Sequence, residues 1–277
     1  MAITKIFAGV ICSVALLASV VGCKSKDKKD QKVEKDTTTM VAKPGTPIKL
    51  NPNKKYIYLT WDDGPQPPGT FNCERIFKEQ GVKATFFMVG MNAFSPSRMR
   101  IVDTIRNSYP QFLLGNHSHS HGFQDHYKTF YQHPDSAMQD MYTAEKELNV
   151  QVKIVRLPGM NAWVENGKIQ APQSSREVCK RLGTAGYSAI GWDVEWRFGR
   201  HSIPVQGAQE MANEVAQKFA DGTTYAQNAL VILAHDRMFK EPQYADSLTK
   251  FITLLKQDTS YVFETVDHYP LVQQGHP

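Results

Sequence analysis

Several marks of well-known protein classes are scarce in this sequence. Only four cysteines occur among 277 residues, and two of them, Cys12 and Cys23, fall within the first 23 positions. That leaves Cys73 and Cys179 for the rest of the chain, too few for a disulfide-rich scaffold. We expect these two to be separate buried thiols, the common state of lone cysteines in helical segments.

Two signatures of catalytic chemistry are also absent. The chain has no glycine-rich phosphate-binding loop and no serine flanked by glycines in the nucleophile-elbow pattern. These absences argue against a phosphate chemistry that depends on such a loop, and against a serine nucleophile.

An excess of one charge is confined to the N-terminal end. The formal net charge is +5, and seven lysines against four acids give residues 1–36 a charge of +3. The remainder is nearly balanced at +2, so the basic pI of 8.9 gives no reason to expect a nucleic-acid partner. With 41% hydrophobic and 21% charged residues, the composition is that of a globular protein, and the length suits one large domain.

The first 23 residues have the pattern of an export signal. Lys5 precedes an uncharged apolar stretch, residues 6–21, which is short for a membrane span and is followed by Gly22 and Cys23. This ending resembles a bacterial lipoprotein cleavage box, which implies that Cys23 carries the lipid. An uncleaved N-terminal anchor is the alternative. Either case puts the domain outside the cytoplasm, attached to a membrane of the bacterial cell envelope.

The chain after the export signal divides into a spacer and a domain. Residues 24–50 are rich in lysine, aspartate, threonine and proline, which predicts a disordered tether. Residues 51–277 alternate between strand-like and helical patterns. The strand-like runs are 56–61, 83–89, 112–114, 153–157, 188–194, 230–234 and 261–264. The helical patterns are 71–80, 97–108, 135–148, 174–182, 205–220 and 244–256.

This alternation predicts an α/β fold. Strands that alternate with helices form a parallel sheet with the helices packed outside. About seven strand–helix units favour a distorted or incomplete (β/α) barrel over an open sheet. No second domain is visible in the pattern.

Polar residues cluster where the strand-like runs end. They are Asp62-Asp63, His117 to His121, Arg156, Asp193 to Glu195 and His235-Asp236. The carboxyl-terminal edge of an α/β barrel carries its chemistry, whereas unpaired charge inside a core is costly. We therefore expect these residues to meet at one edge of the sheet.

The first two clusters have the composition of a metal site. Asp62-Asp63 supplies two carboxylates, and the four-residue spacing of His117 and His121 would put both imidazoles on one face of a helical turn. Imidazole and carboxylate groups suit zinc and similar ions, and a set of three protein ligands leaves positions for water and substrate. His117 paired with His119 on an extended segment is an alternative that spacing alone leaves open.

Five islands, taken in order, resemble the polysaccharide deacetylase family, the NodB-homology carbohydrate esterases. They run from residue 60 to residue 236 and comprise Thr60-Trp61-Asp62-Asp63-Gly64, His117-Ser118-x-x-His121, Arg156-Leu157-Pro158-Gly159, Trp192-Asp193-Val194-Glu195-Trp196 and Ile232-Leu233-Ala234-His235-Asp236. The first two islands are specific when they occur together. The third and fourth gain their weight from order and spacing.

The resemblance implies a metal-dependent hydrolase that removes acetyl groups from a glycan. Its pattern implies that Asp63, His117 and His121 hold Zn²⁺, or Co²⁺ or Ni²⁺. It further implies that Asp62 is the general base and His235 the general acid. N-acetyl groups are the favoured target. An O-acetyl esterase acting on xylan-like glycans, and an inactive carbohydrate-binding lipoprotein, are the alternatives.

The same resemblance assigns supporting roles. Arg156 is expected to pair with Asp62, and either Asp193 or Glu195 to tune His235. The expected substrate contacts are Leu233, the turn at Pro65, and Trp196. Trp163, Trp192 and Phe198 are further aromatic residues that could stack on sugars, although each is individually more typical of a core.

One departure from the family pattern concerns the wall of the groove. Gly159 stands where many members carry an aromatic residue after the proline. This difference predicts a more open groove. The segments 160–172 and 196–202 are expected to be loops.

Overall fold

The computed structural model describes residues 42–273. The predicted export signal, the lipidation site at Cys23 and most of the predicted tether lie outside these residues. Within residues 42–273, no helix is both long and apolar enough to cross a lipid bilayer.

Ten strands and nine α-helices are present in the described part of the chain. The strands are β1 (Lys55–Gly64), β2 (Ala84–Met88), β3 (Phe112–Asn116), β4 (Ile154–Val155), β5 (Trp163–Glu165), β6 (Lys168–Gln170), β7 (Ser188–Ala189), β8 (Val194–Glu195), β9 (Ala229–His235) and β10 (Tyr261–Phe263). The helices are α1 (Gly69–Gln80), α2 (Pro96–Arg106), α3 (His121–Gln124), α4 (Tyr127–Gln132), α5 (Pro134–Leu148), α6 (Arg176–Thr184), α7 (Ala208–Ala220), α8 (Pro242–Leu255) and α9 (Pro270–Gln273).

All strands belong to one sheet, in the order β6-β5-β7-β4-β3-β2-β1-β9-β8, with β10 paired to the start of β1. Every pairing is parallel except those of β5 with β6 and β7. Within residues 42–273, no pairing joins the end strands β6 and β8, so the curled sheet stays open. The predicted incomplete α/β barrel is confirmed.

The central strands β1, β2 and β3 have the apolar sequences that are typical of a sheet with both faces buried. In β1, every residue from Tyr56 to Gly64 is buried, and β2 and β3 are buried throughout. Long helices pack outside, so the strands carry continuous apolar runs instead of an alternating pattern. All six predicted helices are present, and Ser95 caps the start of α2, where its hydroxyl accepts a hydrogen bond from the N–H of Arg98.

The sheet register brings the polar islands to one edge. Asp62 at the end of β1 lies opposite His235 at the end of β9. On the other side of β1, β2 pairs with β3 so that Met88 lies opposite Asn116, directly before His117. Asn116 in turn pairs with Val155, which precedes Arg156. These pairings place four of the five islands side by side.

The structure differs from the predicted elements in two places. The predicted strand 188–194 is broken into β7 and β8, which pair with different neighbours, β4 and β9. The segment 160–172, predicted to be a loop, contains the antiparallel hairpin β5–β6. Turn residues Asn166 and Gly167 adopt positive φ values of 49° and 76° there. Cys73 and Cys179 are both buried and free, as predicted.

Residues 42–50 overlap the end of the predicted tether and contact the last helical turns. The N–H of Gly45 donates to the Asp267 carboxylate at 2.9 Å, and the N–H of Ile48 donates to the Gln273 side chain at 2.6 Å. This part of the chain is therefore attached to the domain by long-range hydrogen bonds.

Candidate metal and catalytic site

The two adjacent aspartates both reach His117 Nε2, Asp62 Oδ2 at 3.6 Å and Asp63 Oδ1 at 3.5 Å, because the backbone turns at Asp63. Its φ is +72°, and the register between β1 and β2 shifts between Asp62 and Gly64. An irregularity of this kind redirects a side chain at the end of a strand. Both carboxylates are 2% exposed, so any charge they carry has to be matched within the site.

The histidine segment is a turn and not a helix. His117 directly follows β3, Ser118 has a φ of +67°, and His121, with a φ of +52°, opens the short helix α3. The prediction that both histidines share a helical face is therefore wrong in its geometry. The four-residue spacing still brings their rings together, with centroids 5.0 Å apart.

Asp63, His117 and His121 form a compact set of three candidate ligands. One ligand atom from each lies within 4.8 Å of the others. His121 Nε2 is 3.1 Å from Asp63 Oδ1, and His117 Nε2 is 3.5 Å from the same oxygen. Neither contact has hydrogen-bond geometry, so both Asp63 oxygens are buried without a hydrogen-bond partner in the described structure.

The other ring nitrogen of each histidine has a partner of its own. His117 Nδ1 lies 2.8 Å from the main-chain oxygen of Arg156, and His121 Nδ1 lies 2.6 Å from the Asp125 carboxylate. Donation from Nδ1 fixes the tautomer in which the Nε2 lone pair faces inward, the arrangement of metal-bound histidines. One carboxylate and two such imidazoles fit a divalent ion and leave positions for water and substrate.

The electrostatics of this cluster also suit a cation. Burial on its own would raise the pKa of Asp63, but the contacts with His117 and His121 outweigh it and hold the pKa well below the usual value. Burial would likewise lower the pKa of His121, but Asp63 and Asp125 outweigh it and raise the pKa. The site therefore favours an ionised carboxylate beside groups that hold positive charge.

His119 is directed away from this set. Its Nδ1 lies 2.7 Å from the Glu147 carboxylate, and it lines a separate depression beside Met91 and Phe94. The alternative ligand pair of His117 with His119 is thus not the one that the structure brings together.

Asp62 is held by Arg156, as predicted. Arg156 is fully buried, and its Nη1 donates to Asp62 Oδ1 at 2.9 Å and to the Thr60 hydroxyl at 2.6 Å. Its Nε and Nη2 donate to the main-chain oxygens of Ile190 and Gly191. A guanidinium with this many partners cannot rotate, so Asp62 Oδ1 is fixed and Oδ2 faces His117 at 3.6 Å.

His235 completes the cluster from the opposite side. Its Nε2 is 4.0 Å from Asp63 Oδ2, and its ring packs edge-to-face on Phe198 at 4.9 Å. Burial lowers the pKa of His235, and the attraction of Asp63 and Asp62 offsets it only in part. A histidine in this state gives up a proton readily.

Neither acidic residue of the fourth island hydrogen-bonds His235 in the described structure. The Asp193 carboxylate accepts from the N–H groups of Tyr225 and Val231, both at 2.7 Å, and lines a different depression. Its predicted role in tuning His235 is therefore wrong, because both oxygens are used by the backbone. Glu195 does line the pocket with His235, and burial raises the pKa of its carboxyl group.

The cluster forms the floor of a pocket of about 330 Å³. Leu233 lines it, as predicted, together with Trp192 and Phe198. Trp196 does not line the pocket. It is fully buried, its indole N–H donates to the main-chain oxygen of Gln206, and it packs on Phe239 and Phe251. The prediction that Trp196 contacts substrate is therefore wrong.

Pro65 is likewise absent from the residues that line the pocket. It is buried, and its oxygen accepts a hydrogen bond from Arg98 at 2.6 Å. Trp163 belongs to the core, where it stacks on Tyr225 with 4.1 Å between ring centroids. Among the predicted aromatic contacts, Trp192 and Phe198 are the ones that reach the pocket.

Two lining residues were not predicted from the sequence, Tyr127 and Arg237. A Cβ atom on Gly159 would lie 2.8 Å from the Tyr127 ring, so this ring fills the space beside the glycine. The expectation of a more open groove wall at Gly159 is wrong for that reason. Arg237 directly follows the His235-Asp236 island. Its position next to that motif could have predicted that it lines the pocket.

Comparison with known proteins agrees with this geometry. The family model described as polysaccharide deacetylase matches residues 49–171, which include Asp62, Asp63, His117, His121 and Arg156. Residues 49–171 are therefore similar to the polysaccharide deacetylase family, in agreement with the resemblance carried by the sequence islands. His235 lies beyond the matched residues, and its place beside Asp62 comes from the pairing of β9 with β1.

Individual relatives are distant in sequence but cover about two thirds or more of this chain. A chitooligosaccharide deacetylase of Sinorhizobium fredii is 28% identical over 66% of this chain and 87% of its own length. A peptidoglycan-N-acetylglucosamine deacetylase of Bacillus cereus is 23% identical over 77% of this chain and 87% of its own. The structure of a Streptococcus mutans CE4 esterase aligns with a TM-score of 0.58 at 22% identity, covering 77% of this chain and 86% of that one, a likeness of fold.

Proposed function

We propose that the protein is a metal-dependent deacetylase that hydrolyses the acetamide of an N-acetylated sugar in a glycan. The observation that carries this proposal is the convergence of Asp63, His117 and His121 within 4.8 Å, with Asp62 and His235 on either side. Relatives named for chitooligosaccharide and for peptidoglycan N-acetylglucosamine support an acetamido sugar as the substrate.

Asp63, His117 and His121 would hold the divalent ion, with zinc, cobalt and nickel all suited to this donor set. When bound, the ion would supply Lewis-acid polarisation of the acetyl carbonyl. Asp62 lies next to this position and is kept from rotating by Arg156, so it is oriented to accept a proton from the attacking water.

The remaining steps belong to the other residues of the pocket. Water adds to the acetyl carbon, the C–N bond breaks, and the sugar amine leaves with a proton from His235. Leu233 gives the acetyl methyl an apolar contact. The depressed pKa of His235 makes its protonated form a stronger acid, which suits proton donation to a departing amine.

The test is acetate release by the full-length protein, purified in detergent, from a panel of acetylated glycans. We expect release that a chelator abolishes and that added zinc, cobalt or nickel restores, with one metal ion per chain by elemental analysis. Release from O-acetylated xylan but from no N-acetylated glycan would replace the amidase with an esterase. Bound metal without any release would point to a binding protein, and two ions per chain to a different hydrolase.

We also propose that the deacetylase domain works outside the cytoplasm, held to a membrane through lipid on Cys23. The support is the sequence pattern of residues 1–23. Metabolic labelling with a fatty-acid analogue should mark the wild-type protein and leave Cys23→Ser unlabelled. Equal labelling of both proteins would contradict the anchor.

A further inference from the structure

Arg237 is a cation of the pocket that the proposed reaction does not use. Its side chain is 35% exposed, and its guanidinium lies over the Phe198 ring, 4.6 Å from the ring centroid. Its Nη1 is 3.0 Å from Asp63 Oδ2, and its Nε has no hydrogen-bond partner in the described structure. A guanidinium held over an aromatic ring is oriented in advance to receive an anion.

The backbone that carries Arg237 is also fixed. The preceding residue, Asp236, is fully buried, and its carboxylate accepts a hydrogen bond from the Thr70 hydroxyl. Gly69 packs directly on the Asp236 main-chain oxygen, where a Cβ atom would lie 2.0 Å away. The position of the arginine is thus set by packing of this turn against the start of α1.

The charges around the pocket leave Arg237 without a committed counter-ion once the ligand set is used. Arg156 pairs with Asp62, and a divalent ion would take Asp63, the one carboxylate that Arg237 now contacts. Glu195 also lines the pocket, but no ion pair within 4.0 Å joins it to Arg237 among residues 42–273. With an ion bound to Asp63, the Arg237 guanidinium would have no carboxylate partner and would line the pocket beside His235.

We propose that Arg237 binds a carboxylate of the substrate, so that the site prefers acetylated glycans with an acidic group on or next to the acetamido sugar. This inference rests on the proposed function. Guanidinium and carboxylate groups form paired hydrogen bonds with a fixed geometry, whereas a neutral glycan offers hydroxyl groups that need no such cation. Binding within a partly desolvated pocket strengthens the contact.

The test compares two substrates that differ in one group. They are a carboxymethyl ether of an N-acetylglucosamine oligomer and the methyl ether of the same oligomer. The proteins are the metal-loaded full-length wild type, Arg237→Gln, Arg237→Lys and the control Arg200→Gln, which removes an exposed cation outside the pocket lining. Elemental analysis and thermal unfolding accompany every variant.

For Arg237→Gln we expect kcat/KM to fall about tenfold to a hundredfold on the acidic substrate. On the neutral substrate it should change less than threefold. Arg237→Lys should lie between wild type and Arg237→Gln, and Arg200→Gln should match wild type on both. Raising the salt concentration should weaken the acidic preference of the wild type but not alter the ratio for Arg237→Gln.

A binding readout separates this inference from the proposed reaction. Calorimetric titration with each ether into metal-loaded Asp62→Asn should show tighter binding of the acidic ligand, and adding Arg237→Gln should remove the difference. This result would stand even if no acetate were released. Equal loss of kcat/KM on both substrates, loss of metal from Arg237→Gln, or equal binding of the two ethers would each overturn the assignment.

Discussion

The side-chain amide of Asn92 donates a hydrogen bond of 2.7 Å to the main-chain oxygen of Asp63. Asn92 lies in the turn after β2, and the oxygens of Asn92 and Pro65 both accept from Arg98 Nη1. The same turn hydrogen-bonds the histidine segment, since the N–H of Gly90 donates to the Ser118 oxygen. The turn therefore ties the aspartate and histidine segments of the ligand set together.

We expect Asn92→Ala to weaken metal binding about tenfold, because Asp63 would lose the contact that holds its left-handed backbone in place. Metal affinity by competition with a chelating dye measures this loss. The control is Asn72→Ala, which removes a similar hydrogen bond, from Nδ2 to the Phe239 oxygen, away from Asp63. Both variants should lose about 1 kcal/mol of stability, and equal metal affinity in the two would refute the positioning role.

Mutation should distinguish the proposed role of Asp62 as general base from the proposed role of His117 as metal ligand. Asp62→Asn should retain the metal and lose turnover by about 10² to 10⁴, since the base is lost while all three ligands remain. His117→Ala should lose metal and turnover together. Elemental analysis and acetate release on the same samples measure both quantities. Near-normal rates in Asp62→Asn would show that another group accepts the proton.

The two tryptophans of the fourth island should respond differently to the same substitution. Trp196→Phe should cost about 2 kcal/mol of unfolding free energy, because it leaves a cavity and an unpaired Gln206 oxygen in the core. Trp192→Phe should leave stability within about 1 kcal/mol and raise KM a few-fold, because this ring is half-buried and lines the pocket. Chemical denaturation and substrate kinetics test the pair, and the reverse pattern would exchange the two assignments.

Glu165 should make stability depend on pH. It is 3% exposed, neither carboxylate oxygen has a partner in the described structure, and burial raises its pKa from 4.5 to about 8. The folded state therefore binds this proton more tightly than the unfolded state, so the contribution of Glu165 to stability falls as pH rises from 4.5 to 8.

Glu165→Gln removes that dependence. Relative to wild type, we expect its unfolding free energy to improve by up to about 5 kcal/mol between pH 4 and pH 9, because each unit of the pKa difference corresponds to about 1.4 kcal/mol. Denaturation at a series of pH values measures the change. Glu79→Gln, on an exposed helix surface beside Arg75, is the control and should show no such trend. Parallel pH profiles for Glu165→Gln and wild type would mean that Glu165 finds a partner in solution.

Local patterns in the sequence determined the elements of this fold. The helices predicted at 135–148 and 205–220 correspond to α5 and α7, because apolar spacing and end residues act within a few turns. The sequence also predicted the candidate metal ligands, because carboxylate and imidazole side chains that follow strands are typical of a metal site. The short hairpin β5–β6 was missed because each strand has three residues, too few for a periodic signal.

Only the tertiary structure decided which of these side chains meet. Asp193 and Glu195 are two residues apart, but Asp193 caps the backbone of β9 while Glu195 faces the pocket. In the same way, Trp192 lines the pocket whereas Trp196 lies in the core. Tyr127 fills the space beside Gly159, and Arg237 reaches Asp63, from segments distant along the chain. Such contacts depend on strand register and packing between remote segments, which a local sequence pattern does not encode.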